Sequence, residues 1–188
     1  MELINQIYED KCKKHSDIHE HLPVLKKYAE ECEIIVEMGV RSIVSTWAFL
    51  AAKPSKLISI DIVHPLDYIN HDPAGCNLHL VERLASENGI NFEFILGNSL
   101  TINPIECDLL FIDTLHDYEQ LKGELKIHSD FCRKYIILHD TTHFANKGET
   151  EGKKGIWRAV QEFIENNKNW AIRERLTNNN GLTILNRI

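Results

Sequence analysis

The sequence predicts an α/β protein: a mostly parallel sheet with helices on both faces. Three observations carry that reading. Short apolar runs, too brief for helices, alternate with longer amphipathic stretches, the pattern of strand–helix–strand units. Each of the first five runs ends in a polar or glycine-containing cluster. The chain closes with two strand-like runs on either side of Thr177-Asn178-Asn179-Asn180-Gly181. Asn and Gly tolerate positive φ, so this is a hairpin turn signal. At 188 residues the chain suits a single domain, with residues 1–33 expected as an N-terminal helical extension and 34–188 as the core.

Residues 17–31 read as a helix with Asp17 as its N-cap. Residues 34–38 are an apolar run and the first strand; 45–52, STWAFLAA, have helical composition. The second strand is 57–62. A helix over 78–88 ends at Gly89, and the third strand is 91–96. DLLFI at 108–112 is the fourth strand, followed by a helix over 118–129 and a fifth strand at 135–138. The helix at 156–166 places Ile156, Trp157, Val160, Phe163 and Ile164 at the 3.6-residue period. The tail supplies strands at 170–176 and 182–185. Residues 146–154 are polar and glycine-containing and read as a mobile loop.

Composition narrows the function. Hydrophobic residues are 43% and charged residues 26%, ordinary for a globular protein. The net charge of −7 lacks the basic stripe that nucleic-acid binding requires, so no nucleic-acid partner is expected. No apolar run approaches the roughly 18 residues of a membrane span. Five scattered cysteines (Cys12, Cys32, Cys76, Cys107, Cys132) with no C-x-x-C argue against a disulfide framework or a zinc knuckle. The N-terminus has no apolar signal core, which makes a cytoplasmic location the default expectation.

In open parallel sheets the ligand lies beyond the carboxyl ends of the strands. Those ends carry Glu37-Met38-Gly39-Val40-Arg41-Ser42, Asp61, Gly97-Asn98-Ser99, Asp113-Thr114-Leu115-His116 and His139-Asp140-Thr141-Thr142-His143. Gly39 lets backbone approach a ligand. No G-x-G-x-x-G is present, so a pyrophosphate cradle is not supported. Asp61, at the end of the second strand, can accept hydrogen bonds from a ribose diol, which favours a nucleoside-bearing ligand. Asp113 and His116 at i and i+3 can meet His139 and Asp140 from the neighbouring strand. Such a group can bind a divalent cation, or one member can act as a general base near neutral pH. Plainer readings stay open at this point: Asp113 as a helix cap, His139 as a half-buried strand residue.

The stretches VEMGVRSIVST (36–46), the acid of ISIDI, DLLFIDTLHDYEQLKGEL (108–125), YIILHDTTHF (135–144), GIWRAVQEFI (155–164) and NNNGLTIL (178–185) resemble a class I S-adenosylmethionine-dependent methyltransferase. The closer resemblance is to the branch of cephalosporin-hydroxylase-like proteins and sugar O-methyltransferases, over roughly residues 34–188. It implies a Rossmann-like seven-stranded sheet, order 3-2-1-4-5-7-6, with strand 7 antiparallel. It also implies S-adenosylmethionine contacts from Glu37 and Gly39 at the methionine end, with Arg41 and Ser45 as further cofactor-binding residues. Asp61 would contact the ribose, Asn98 and Ser99 the adenine, and Asp113 would sit between cofactor and acceptor. By the same resemblance, Asp113 and Asp140 hold magnesium and His116 is the base, with Asp113 orienting it and His139 and His143 in reserve. The sequence departs from the family where Ile43 and Val44 replace later glycines and where Leu115 and His139 stand in place of acids. With His139 as third ligand, manganese, or no metal at all, becomes plausible beside magnesium.

The expected activity is methyl transfer to a hydroxyl of a sugar, glycan or other small polar acceptor. The alternative is a non-catalytic S-adenosylmethionine-binding module or partner subunit. A nicotinamide-dependent oxidoreductase and a metal-dependent hydrolase are weaker rivals. Residues 143–155 are a candidate lid with Gly148, Gly152 and Gly155 as hinges. SDIHEHLP (16–23) is a candidate site cap or homo-oligomer contact, with His19 and His21 expected as exposed helix residues.

Overall fold

A computed structural model describes residues 1–68 and 77–188; Cys76 lies outside the described residues. Seven strands form one sheet in the order β3-β2-β1-β4-β5-β7-β6. They are β1 (Ile34–Met38), β2 (Lys56–Asp61), β3 (Asn91–Leu96), β4 (Cys107–Ile112), β5 (Cys132–His139), β6 (Trp170–Leu176) and β7 (Leu182–Arg187). β1 to β5 run parallel, and β7 is antiparallel to both β5 and β6. β4 is buried along its whole length, which is why Leu109–Ile112 is an unbroken apolar run instead of alternating.

Side chains leave the central strands alternately toward two cores. Ile35, Leu57, Leu109, Phe111 and Ile137 face one layer, made by α1 (Glu2–Lys13), α2 (Leu22–Ala29), α3 (Ser45–Ala51) and α4 (Leu78–Glu87). Val36, Met38, Leu110, Ile112 and Leu138 face the other, made by α5 (Tyr118–His128) and α6 (Trp157–Asn166). The β6–β7 turn has Asn179, Asn180 and Gly181 at φ 41°, 70° and 99°, the left-handed run that the sequence predicts. β6 slips register against β7 between Ile172 and Glu174.

Most elements fall where the sequence places them; the N-terminal extension differs. The helix expected over 17–31 is a 3-10 turn at His19–His21 followed by α2, which opens at Leu22 with Pro23 in its first turn. Proline favours that position because its missing N–H would be unpaired there anyway. Asp17 therefore caps nothing and instead pairs with Arg41 at 2.8 Å. α1 seats Ile4, fully buried, in the first core. Residues 146–154 are tied down, contrary to the mobile loop expected. The Tyr118 and Gly148 amides donate to the Lys154 and Lys153 carbonyls, and the Thr150 amide donates to Asp117 Oδ1 at 3.0 Å. Gly155 is not built as a hinge, because a Cβ there would lie 2.2 Å from the Phe144 carbonyl. Among the described residues no helix is long and apolar enough to cross a membrane.

Candidate active site

The carboxyl ends of β1 to β5 open into a cleft of about 500 Å³. Of the residues the sequence nominates, Gly39, Arg41, Ser45, Asp61, Asn98, Ser99, Asp113, His116 and Asp140 line it.

The β1 loop is shaped by backbone. Gly39 (φ 89°) is followed by two non-glycine residues in the left-handed region, Arg41 (φ 44°) and Ile43 (φ 56°). Val44, at φ −96°, is ordinary. The loop therefore runs left-handed at alternate positions with only one glycine, at a cost of about 1–3 kcal/mol for each strained residue. Asp61 holds it there: Oδ2 accepts from the Val40 and Arg41 amides at 2.8 and 2.9 Å, and Oδ1 from the Val63 amide at 2.9 Å. Gly39 is required chiefly by the neighbouring strand, since a Cβ would lie 1.9 Å from the Asp113 carbonyl oxygen.

Glu37 does not line this cleft, in contrast to the resemblance's implication. It is fully buried beneath it, accepting hydrogen bonds from Ser45 Oγ (2.5 Å), Thr46 Oγ1 (2.8 Å) and Ser59 Oγ (2.6 Å). Burial pushes its pKa up to about 7 against the pull of those hydroxyls. Ser99 is buried at the floor, donating to Glu124 Oε1 at 2.6 Å. Glu124 also accepts from Thr114 and Gln120. Asn98 turns Oδ1 onto the Leu100 amide at 2.8 Å.

The β4 and β5 ends are built by charge. His116 Nε2 lies 3.1 Å from Asp113 Oδ1 and 3.0 Å from Asp140 Oδ2, and its Nδ1 lies 2.9 Å from Glu149 Oε2. Buried His139 places Nδ1 3.2 Å from Asp113 Oδ1 and 3.6 Å from Asp140 Oδ2. Burial disfavours both imidazolium forms, but the two carboxylates override it and raise both histidines well above neutrality. Burial of Asp113 and Asp140 is likewise outweighed by the imidazoles, which hold both carboxyls below their usual range. His116 stacks on Phe144 with ring centroids 4.7 Å apart. His143 is exposed, packs edge-on against Phe144, and stands outside the cluster.

Asp113, His139 and Asp140 each offer a ligand atom, all within 4.8 Å of one another, and Asp140 Oδ1 is buried without a partner. This set fits a divalent cation. Two carboxylates and an imidazole suit manganese better than magnesium, which prefers oxygen alone.

Sequence reasoning missed Glu149 and Glu124, whereas Asp17 and Ile18, within the 16–23 segment named as a candidate site cap, do border the cleft. Glu149 is one of several acids in a polar loop, and nothing in the sequence distinguishes it. His21, expected to be exposed, is completely buried.

No family model and no curated protein matches this sequence. Solved structures match it in shape. An O-methyltransferase from Bacillus cereus in complex with SAH aligns with a TM-score of 0.62 at 13% identity, covering 100% of this chain and 90% of that one. An SAH-bound methyltransferase from Podospora anserina aligns at 0.64 and 12%, covering 98% and 87%. A methyltransferase from Geobacter sulfurreducens aligns at 0.60 and 13%, covering 99% and 86%. With the sheet order, these likenesses give the chain the Rossmann-like fold of class I S-adenosylmethionine-dependent methyltransferases, as the sequence resemblance implies.

Proposed function

We propose that this protein is an S-adenosylmethionine-dependent O-methyltransferase acting on a hydroxyl of a sugar, glycan or other small polar acceptor. The observation that carries the reading is the meeting of Asp113, His116 and Asp140 in this fold's ligand cleft, with buried His139 behind them. Bound S-adenosylmethionine supplies an electrophilic methyl group on a sulfonium, which leaves as a neutral thioether.

The chain's own residues must align the acceptor oxygen and remove its proton. Asp61 Oδ1 accepts one backbone amide and keeps a second lone pair for a ribose hydroxyl. Asn98 and Ser99 border the same end of the cleft. Orienting two reactants can be worth about 7–11 kcal/mol in the best intramolecular comparisons. His116 faces the cleft with Nε2 held between two carboxylates, while Glu149 fixes Nδ1 and so the ring's orientation. A cation bound by Asp113, His139 and Asp140 would supply positive charge that acidifies the acceptor hydroxyl. To act as base His116 must first give its Nε2 proton to solvent; a cation engaging Asp113 and Asp140 would remove the charge that keeps the ring protonated, and the neutral Nε2 would then take the acceptor's proton, a role worth about 10²–10⁴-fold in rate.

Calorimetric titration with S-adenosylhomocysteine, run beside NAD, tests the first half. Saturable uptake of the former alone is expected, and no uptake at millimolar concentration removes the proposal. Transfer of labelled methyl to a panel of sugars and glycosides, with and without manganese, tests the second half. The strained β1 loop and the amides already on Asp61 favour one second reading, a binding module without turnover. Uptake with no transfer across the panel would establish that reading instead.

A further inference from the structure

One side of α5 carries a polar stripe. Gln120, Glu124 and His128 follow one another at four-residue spacing, which places them on the same face of the helix. All three reach one residue of the loop after β3. Gln120 Nε2 donates to Ser99 Oγ at 3.1 Å, and Ser99 Oγ donates to Glu124 Oε1 at 2.6 Å. His128 Nε2 lies 2.7 Å from the Ser99 carbonyl oxygen; a carbonyl only accepts, so the ring is the donor. Gly123 lets the loop come close, since a Cβ there would lie 2.7 Å from Leu100 Cδ2. His128 thus anchors the loop's backbone, and the part left to Glu124 lies in the side chains it collects.

Those side chains converge on one atom. Besides Ser99, Glu124 Oε1 accepts from Thr114 Oγ1 at 2.7 Å and from Gln120 Nε2 at 2.9 Å. Glu124 itself is completely buried, while Ser99, Thr114 and Gln120 all line the cleft. Their donors are then exhausted. Ser99 and Thr114 have one hydroxyl hydrogen each, both engaged by Glu124. Gln120 has two amide hydrogens, engaged by Glu124 and Ser99. Among the described residues nothing donates to Gln120 Oε1. This wall of the cleft therefore offers a ligand acceptors and no donors. The Gly97 amide donates to the Asp61 carbonyl at 2.8 Å, so the same loop stands beside the acid proposed for the ribose, within reach of a base carried on that ribose.

We propose that Gln120 reads the base of the bound nucleoside, its Oε1 accepting an N–H from an exocyclic amino group, and that Glu124 is the positioning residue that turns the amide this way round. The two ends of a side-chain amide are nearly equal in shape, and only hydrogen-bond partners decide which end faces a ligand. With Glu124 behind its nitrogen, Gln120 presents its carbonyl. A base with an oxo group there sets acceptor against acceptor, and one with a bare C–H leaves the carbonyl unpaired. The inference rests on the S-adenosylmethionine reading and deepens it, since adenine carries such an amino group.

Calorimetry on the full chain compares S-adenosylhomocysteine with its purine analogue, in which hydrogen replaces the 6-amino group. The unsubstituted protein should bind the analogue about five- to tenfold more weakly, the effect of losing one hydrogen bond. Gln120→Leu should bind the two within about twofold of each other. Glu124→Gln keeps one carbonyl oxygen for the three donors and should keep the discrimination, whereas Glu124→Leu should lose it. A merely structural role for Glu124 would weaken both compounds together and leave their ratio alone. Equal affinities in the unsubstituted protein, or a ratio that survives Gln120→Leu, overturn the proposal. A ratio that survives Glu124→Leu overturns the positioning role. Gln120 is half-buried, so its variant decides the matter even if Glu124→Leu does not fold. Binding of neither compound removes the S-adenosylmethionine reading and this inference with it; binding of both without discrimination removes the inference alone.

Discussion

The two halves of the cleft are made by different physics. Around β1 and β2 the site is backbone: a loop with Arg41 and Ile43 at positive φ, held by one carboxylate that spends three acceptor positions on amides. Around β4 and β5 it is charge: two carboxylates and two imidazoles within hydrogen-bonding reach, with Glu149 as a further anchor. A pocket made of backbone tolerates exchange of its side chains so long as φ and ψ survive. A pocket made of charge does not, because removing one member leaves another buried without its partner.

The largest effect should come from the charged half. His116→Ala should leave S-adenosylhomocysteine affinity nearly unchanged and cut turnover about a hundredfold or more. Calorimetry paired with a methyl-transfer assay checks this, and unchanged turnover would take His116 out of the mechanism. Asp61→Ala should do the reverse, weakening S-adenosylhomocysteine about ten- to a hundredfold, the worth of a hydrogen bond to a charged group. A larger effect on turnover than on affinity would erase the division between the halves.

Glu37 lies beneath the backbone half, and its effect is on stability. Its folded pKa of about 7 stands above the ordinary carboxyl value of 4.5. The folded state therefore binds the extra proton, and the Glu37 contribution to stability is fully present below pH 4.5 and is lost as pH rises toward 7. The loss is about 3 kcal/mol by linkage. Denaturant titrations at pH 4.5 and pH 7.5 should show that loss, and Glu37→Gln should reduce it. An identical pH dependence in the variant would assign the change to other groups.

The smallest effect separates the two strained residues. Arg41 is exposed, so Arg41→Gly should raise stability by about 1 kcal/mol as strain is released, less the small worth of its surface pair with Asp17. Ile43 is wholly buried, so Ile43→Gly should instead cost roughly 2–5 kcal/mol as its apolar contacts are lost. Melting temperatures moving in the same direction would show that φ strain is not the governing term.

The same division explains what could be read in advance. β1, β3 and β6 fall on the residues predicted, and the remaining strands within three residues at their ends; the inner strands are legible because burial on two faces demands apolar runs. Asp113, His116, His139 and Asp140 were legible because acids and imidazoles at successive strand ends advertise themselves in one dimension. The backbone half was not. The sequence points to lost glycines at 43 and 44, whereas the left-handed positions are 41 and 43, and φ is decided by what the loop packs against. Glu149 and His21 were illegible for a third reason. Each acts across a long stretch of chain, and a histidine in a polar segment such as SDIHEHLP reads as exposed until the β6–β7 turn is folded over it. Pro23 explains the shortened helix, and α1 falls within the helical extension expected over 1–33, with Ile4, Ile7 and Tyr8 on its core face.

The register slip in β6 has a further consequence. β6 is the outer strand, and it presents Arg173, Glu174 and Arg175 around the slip. A bulged, charge-bearing rim is a poor template for a foreign strand. Crowding therefore should not extend the sheet at that border, whatever happens at the opposite edge, β3.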